Sequence, residues 1–147
     1  MLDKVKIGKW LLEINHDKTK QYYEKGIEVC DCLYCVNYME QMNNVDSEFN
    51  SLFQNLGINP TMPAQLAEFP AEEEGKHHYI GHYHFVGRII EGEISTASNS
   101  REDNSSPLNN FNLSITEELE FVPNDFPTPI LQLDFSVDLP WKLKEKP

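Results

Sequence analysis

The sequence predicts a single α+β domain, and three observations carry that reading. Helix-type spacing of apolar residues is confined to the first sixty residues, while period-two alternation dominates after Pro63. The last alternating stretch, "ILQLDFSVDLPW", sends Leu131, Leu133, Phe135, Val137 and Leu139 one way and Gln132, Asp134, Ser136 and Asp138 the other. One buried and one wet face is the mark of an antiparallel sheet. Helices early and strands late therefore predict an antiparallel sheet of about five strands, with three short, mostly N-terminal helices packed on one face.

The elements follow in order. Residues 5–14, "VKIGKWLLEI", begin as an alternation and turn apolar on both sides at Trp10, Leu11 and Leu12. They read as one strand that starts at an edge and enters a core. Asp17 can cap a short helix ending at Gly26. A second helix is expected from about Cys32 to Asn43. The third is the clearest. Asp46 is its N-cap, Phe49, Leu52, Phe53 and Leu56 lie at i, i+3, i+4 and i+7, and Gly57 ends it with Pro60 beyond. "AQLAEF" is a short strand before the acidic turn "PAEEEGK". "HHYIGHYHFVGRIIEG" is a long strand whose Gly81 and Gly87 imply a bulge or a close backbone approach. Residues 95–110 read as a polar, flexible loop, "FNLSI" as a strand and "VPNDFPTP" as a turn.

Composition limits the partners. The chain has 147 residues and a formal net charge of -12, which disfavours duplex nucleic acid and anionic membrane surfaces. A small anionic ligand stays compatible, because one Arg and a few backbone N–H groups suffice to hold it. The opening "MLDKVKIGKW" shows no apolar h-region, so no signal peptide is expected, and no apolar run approaches the length of a membrane span. Three cysteines poorly suit a disulfide framework, so a reducing cytoplasm is expected.

All three cysteines lie within "CDCLYC". Cys30, Cys32 and Cys35 fit three readings. They can be small buried residues at the start of a helix, three ligands of a structural zinc site, or a C-x-x-C redox pair. Zinc needs a fourth ligand, which would have to be a histidine such as His16 or one of the later cluster. The redox reading wants a βαβ setting that the pattern does not offer. The buried turn is the leading reading.

Four of the five histidines lie in "HHYIGHYH". On a regular strand His78, His82 and His84 share a face with Ile80, Val86 and Arg88, while Tyr79, Tyr83, Phe85 and Ile89 form the core side. His82, His84 and Arg88 are the candidate ligand-binding residues. Arg88 would take an anionic group and the imidazoles would donate hydrogen bonds. Plain outward-facing polar residues and a metal site are the alternatives. Tyr22, Tyr23, Tyr34 and Tyr38 can stack on a flat ligand, although at helical spacing tyrosines are more often core. The acidic runs at Glu72–Glu74 and Glu117–Glu120 read as solvated turns. None of the common nucleotide-binding or hydrolase signatures is present.

The motifs "CDCLYCVNY", "GHYHFVGRIIEG", "EELEFVP" and "FPTPILQLDFSVDLPW" resemble, in that order, a family of small acidic proteins of low-GC Gram-positive bacteria and their phages. The resemblance spans nearly the whole chain and is weakest over residues 95–110. The family brings no established activity to carry over. In size and acidity the chain is also similar to phage sponges that sequester nucleotide-derived immune signals. The expected function is therefore non-enzymatic binding of a small anionic or nucleotide-like ligand near His82, His84, Arg88 and the tyrosines. A zinc-stabilised interaction domain is the alternative, and a metal-dependent hydrolase on the histidine cluster the third. A homo-oligomer is compatible with all three.

Overall fold

The computed structural model describes residues 2–7, 10–26, 32–43, 47–71, 75–92, 106–108, 111–120, 122–123 and 125–144. Cys30, Asp46, the Phe49 side chain, Glu72–Glu74 and most of the expected loop at 95–110 lie outside the described residues.

The chain forms β1 (Asp3–Ile7), β2 (Trp10–Ile14), α1 (His16–Glu24), α2 (Leu33–Met42), α3 (Ser47–Leu56), β3 (Gln65–Pro70), β4 (Lys76–Glu91), β5 (Ser106–Leu108), β6 (Phe111–Thr116) and β7 (Ile130–Pro140). The α+β class, the three early helices and the antiparallel sheet are as expected. Among the described residues the sheet has seven strands, in the order β1-β2-β4-β7-β6-β5, with β3 also paired to β4. Two strands are added to the expected set. The stretch read as one strand is a hairpin whose register pairs Ile7 with Trp10 and Val5 with Leu12. Within the segment read as a loop, Ser106–Leu108 pairs with β6.

The 16-residue β4 organises everything else. Along one side it pairs continuously with β7, from Lys76↔Pro140 to Val86↔Ile130. Along the other it pairs with β3 over residues 77–82 and with β2 over residues 87–91. The β3 and β7 ladders run through Gly81 in unbroken register, so the bulge weighed there does not exist. Close approach is the reason for the glycine. A Cβ at position 81 would stand 2.6 Å from the Gln65 carbonyl oxygen and 2.6 Å from the Phe135 ring.

One face of the sheet, carrying Tyr79, Tyr83, Phe85, Leu131, Leu133, Phe135, Leu113 and Ile115, is buried. α2 and α3 cover it. Tyr38 of α2 stacks on Phe135 at 5.4 Å, and Phe53 of α3 meets Tyr83 edge-on at 4.9 Å. A buried hydroxyl relay runs through this layer, with Tyr38 donating to Tyr83 and Tyr83 to the Pro60 carbonyl, both at 2.5 Å. Burial pushes both phenols above their ordinary range, so they remain protonated donors. Buried Asn37 fastens α2 to the end of β7. Its amide donates to the Pro140 carbonyl and the Tyr79 hydroxyl, and its carbonyl accepts from the Lys142 N–H.

Between β3 and β2, residues 83–86 of β4 pair with no strand on one side among the described residues, and α1 fills that gap. The Tyr23 hydroxyl donates to the His84 carbonyl at 2.9 Å and accepts from the His84 N–H at 3.3 Å. The Thr19 hydroxyl accepts from the Val86 N–H at 2.8 Å, and the Asn15 N–H donates to the Val86 carbonyl at 2.9 Å. Positions i and i+4 of a helix are about 6 Å apart along its axis, close to the two-residue step of a strand. The spacing of Thr19 and Tyr23 thus matches that of the two peptide groups they satisfy. The cap of α1 is Asn15, whose side chain accepts from the Lys18 N–H, and Asp17 sits in the first turn. The far end of α3 closes on α1. The N–H groups of Gly57 and Ile58 bond back to Gln54 and Phe53. Gly57 has φ +85°, and a Cβ there would meet the His16 carbonyl oxygen at 2.6 Å.

Candidate functional site

The histidine face exists but does not form the expected site. His78 and His82 each place Nδ1 2.6 Å from the carboxylate directly across on β7, Asp138 and Asp134. His84, expected to point outward into a pocket, is buried. The chain after β6 folds back over it, with Phe126 edge-on to its ring and the Glu120 N–H bonded to Gln132 Oε1. His84 Nε2 donates to that same Gln132 oxygen at 3.0 Å, and Gln132 Nε2 donates to Asp134 at 2.7 Å. Burial holds His84 below the ordinary imidazole range, so it is a neutral structural ring. Arg88 lies six residues beyond His82 along β4, about 20 Å away at strand rise. Its guanidinium grips Glu13 through Nε at 2.8 Å and Nη2 at 2.7 Å. It lines a cavity of about 320 Å³ with Glu13, Lys18 and Pro129, separate from the histidines. His82, His84 and Arg88 therefore do not converge.

The tyrosines are also redistributed. Tyr23 and Tyr38 are buried, their hydroxyls used by His84 and Tyr83. Tyr22 donates to Asp125 at 2.5 Å and packs on Phe126 at 4.6 Å, which ties α1 to the β6–β7 connection. Burial first, and then Asp125, pushes the Tyr22 phenol up to about 12, while the same bond holds the Asp125 carboxyl below its usual range. Tyr34 alone of the four is exposed. Its ring lies edge-on to Trp141 at 5.8 Å and 5.9 Å from the His77 ring.

Cys32 is the N-cap of α2 and is exposed, and Cys35, one turn on, is buried. His77 is the histidine that borders this turn, through its contact with Tyr34, and its Nδ1 is 2.5 Å from Glu68. Among the described residues no group of three His, Cys, Asp or Glu side chains is placed to hold a metal ion. Cys30, the third candidate ligand, lies outside them.

What the fold does bring together is a groove where α1, the end of α3 and the β1 edge meet, lined by three lysines and two carboxylates, Asp3 and Glu24. One cavity of about 480 Å³ is lined by His16, Lys20, Tyr23, Glu24, Gln54, Gly57, Ile58 and Asn59. A second, also about 480 Å³, is lined by Asp3–Lys6 of β1 with His16, Gln54 and Asn55. His16 and Gln54 belong to both, so the cavities adjoin. None of Lys4, Lys6 and Lys20 is ion-paired with another described residue. Gln54, Asn55 and Asn59 add neutral donors and acceptors. These residues were missed in the sequence, yet a signal was there. Residues 1–26 hold six lysines against four carboxylates, a net of +2, which leaves -14 for the rest of the chain.

Among the described residues no helix is long and apolar enough to cross a membrane. Comparison of the chain with protein-family models, with curated proteins and with solved structures gives no match.

Proposed function

We propose that this protein binds a small anionic ligand, nucleotide-like in size and charge, in the groove between α1, α3 and β1, and holds it without turning it over. The observation that carries this reading is the convergence of Lys4, Lys6, Lys20 and His16, against only Asp3 and Glu24, on two adjoining cavities in a chain of net charge -12. Each cavity lies within the size range of small-molecule sites. The lysines on β1 sit on an edge strand, where a flexible four-carbon stem can swing an ammonium into the groove. The amides of Gln54, Asn55 and Asn59 would read the neutral part of the ligand by hydrogen bonds. An acidic surround confines anions to this patch and repels polyanions such as duplex nucleic acid. Sequestration of a nucleotide-derived signal, as by a phage sponge, is the role that suits such a site.

Thermal-shift measurements against mononucleotides, cyclic nucleotides and cyclic dinucleotides test it. A true ligand at about 100 times its dissociation constant adds roughly 2.7 kcal/mol of apparent stability. The shift should vanish in Lys6→Ala/Lys20→Ala and persist in Arg88→Ala, and the ligand should be recovered intact by chromatography. A shift that survives the double substitution, or no shift with any anion, would sink the reading.

A further inference from the structure

The two cavities of the groove differ in what they offer. The one between α1 and α3 has a floor of Tyr23 and Ile58, both buried, and the Tyr23 hydroxyl is already bonded to His84. Lys20 and Glu24 cancel there in charge, and Gln54 and Asn59 supply neutral donors and acceptors. The cavity along β1 sets two lysines, Lys4 and Lys6, against Asp3, a net of +1 with His16 neutral. It touches consecutive residues from Asp3 to Lys6, whose side chains alternate between the two faces of the strand. A cavity of that kind runs along a strand edge. One edge of β1 is taken by β2, so the cavity follows the other, which no described strand pairs. Ile7 and Trp10 face each other as the last pair of a two-residue hairpin, so they are a hydrogen-bonded pair. Such pairs alternate along an antiparallel ladder, so Val5 and Asp3 also turn their peptide groups to β2. Lys4 and Lys6 turn theirs to the open edge. Each therefore brings two donors to the same cavity, a backbone N–H and an ammonium, and the two residues stand about 7 Å apart at strand rise. Two such donor pairs in a row exceed what one phosphate needs and suit a chain of phosphates.

We infer that the ligand is a nucleoside bearing an open di- or triphosphate chain, with its base between α1 and α3 and its phosphates along the open edge of β1. This rests on the reading of the groove as an anion site, and it adds the direction in which the ligand lies. His16 and Gln54 border both cavities, so they stand where the sugar and first phosphate pass from one to the other. The neutral cavity takes the base, whose edge Gln54 and Asn59 can read. The ammonium groups and amides of Lys4 and Lys6 hold the later phosphates. A cyclic monophosphate folds its single charge back onto the sugar and leaves the β1 edge unused. In a cyclic dinucleotide each phosphate is closed between two sugars, so no row of phosphates can lie along the strand.

Calorimetric titration of the full chain tests it, in EDTA so that no metal bridges the phosphates. The probes are the mono-, di- and triphosphates of the common nucleosides, their cyclic monophosphates, cyclic dinucleotides and inorganic tripolyphosphate. For the base that fits, affinity should rise on the order of tenfold from the monophosphate to the triphosphate. The cyclic forms should bind no tighter than the monophosphate. Lys4 and Lys6 are exposed, so Lys4→Ala/Lys6→Ala keeps the fold. That variant should bring the triphosphate down to the affinity of the monophosphate and abolish binding of tripolyphosphate. In amide spectra the triphosphate should move the Lys4 and Lys6 N–H resonances and leave that of Val5, which faces β2, nearly in place. Equal affinity for mono- and triphosphate overturns the inference and leaves the anion site standing. So does an equal loss for both in the double variant, tighter binding of a cyclic form, or tripolyphosphate binding that survives the substitutions. No binding by any of these compounds removes the anion site and the inference together.

Discussion

His84 shows how one position can carry chemistry in its sequence context and structure in its fold. Its neighbours His78 and His82 face carboxylates across the sheet, but His84 faces Gln132 beneath Phe126. An amide partner cannot compensate an imidazolium, and burial lowers the ring's affinity for a proton. The unfolded chain, with an ordinary imidazole near 6.5, therefore binds this proton more readily than the folded one. Folding loses stability as pH falls below about 6.5 toward the depressed folded value, and stability rises with pH over that window. His84→Gln should have a lower melting temperature at neutral pH and a flatter melting-temperature profile between about pH 7 and 5. Melts of both proteins across that range check it, and parallel profiles would count against the argument. Sequence placed His84 correctly on the face opposite Tyr83 and Phe85. It did not show that Glu120 and Phe126 return over that face, because a loop's path leaves no periodicity to read.

At the scale of elements, β3 and β7 can sit where they do only because β4 has no side chain at position 81. Gly81→Ala drives a Cβ against the Gln65 backbone and the Phe135 ring, and the Gln65 carbonyl cannot rotate away without breaking the ladder. We expect a loss of about 1–3 kcal/mol in urea unfolding, as for overpacked cores. Tyr38, stacked on Phe135, should report the shift in near-ultraviolet circular dichroism. An unchanged unfolding midpoint would contradict the close approach. The helices α2 and α3 and the strands β4, β6 and β7 were legible because each keeps one period over its length, and β3 because turn residues bound a short run. The β1–β2 hairpin was legible in a subtler way. Val5 and Ile7 hold odd positions while Trp10, Leu12 and Ile14 hold even ones, and one strand cannot change parity without turning its apolar side to water. That flip is the hairpin, read instead as a strand buried on both faces. β5 has three residues, one of them Pro107, and no alternation to detect.

For the whole molecule, charge partition locates the candidate site better than any motif. Histidines and cysteines attract notice by rarity, yet the described histidines of β4 all face carboxylates or Gln132, while plain lysines ring the groove. Lys4 and Lys6 also guard the sheet edge, since an edge strand bearing lysines resists pairing with another chain. The groove itself could not be read from sequence, because it depends on α3 closing on α1 through Gly57, a contact between residues about forty apart.

The substitution of α1 for a strand beside residues 83–86 also sets how this protein would breathe. The amides of His84 and Val86 are held by a phenol and a hydroxyl of a nine-residue helix, while those of Tyr83 and Phe85 point to β7. Within one strand, adjacent amides should therefore exchange with deuterium at two different rates. Even-numbered positions follow the undocking of α1 and odd-numbered ones the opening of the sheet. Tyr23→Phe should speed exchange at His84 by tenfold or more, the equivalent of about 1.4 kcal/mol, and leave Phe85 unmoved. Equal acceleration at both would mean that helix and sheet open as one unit. A ligand seated in the groove against Tyr23 would slow the even-numbered amides alone, making them a readout of occupancy that needs no assay of what is bound.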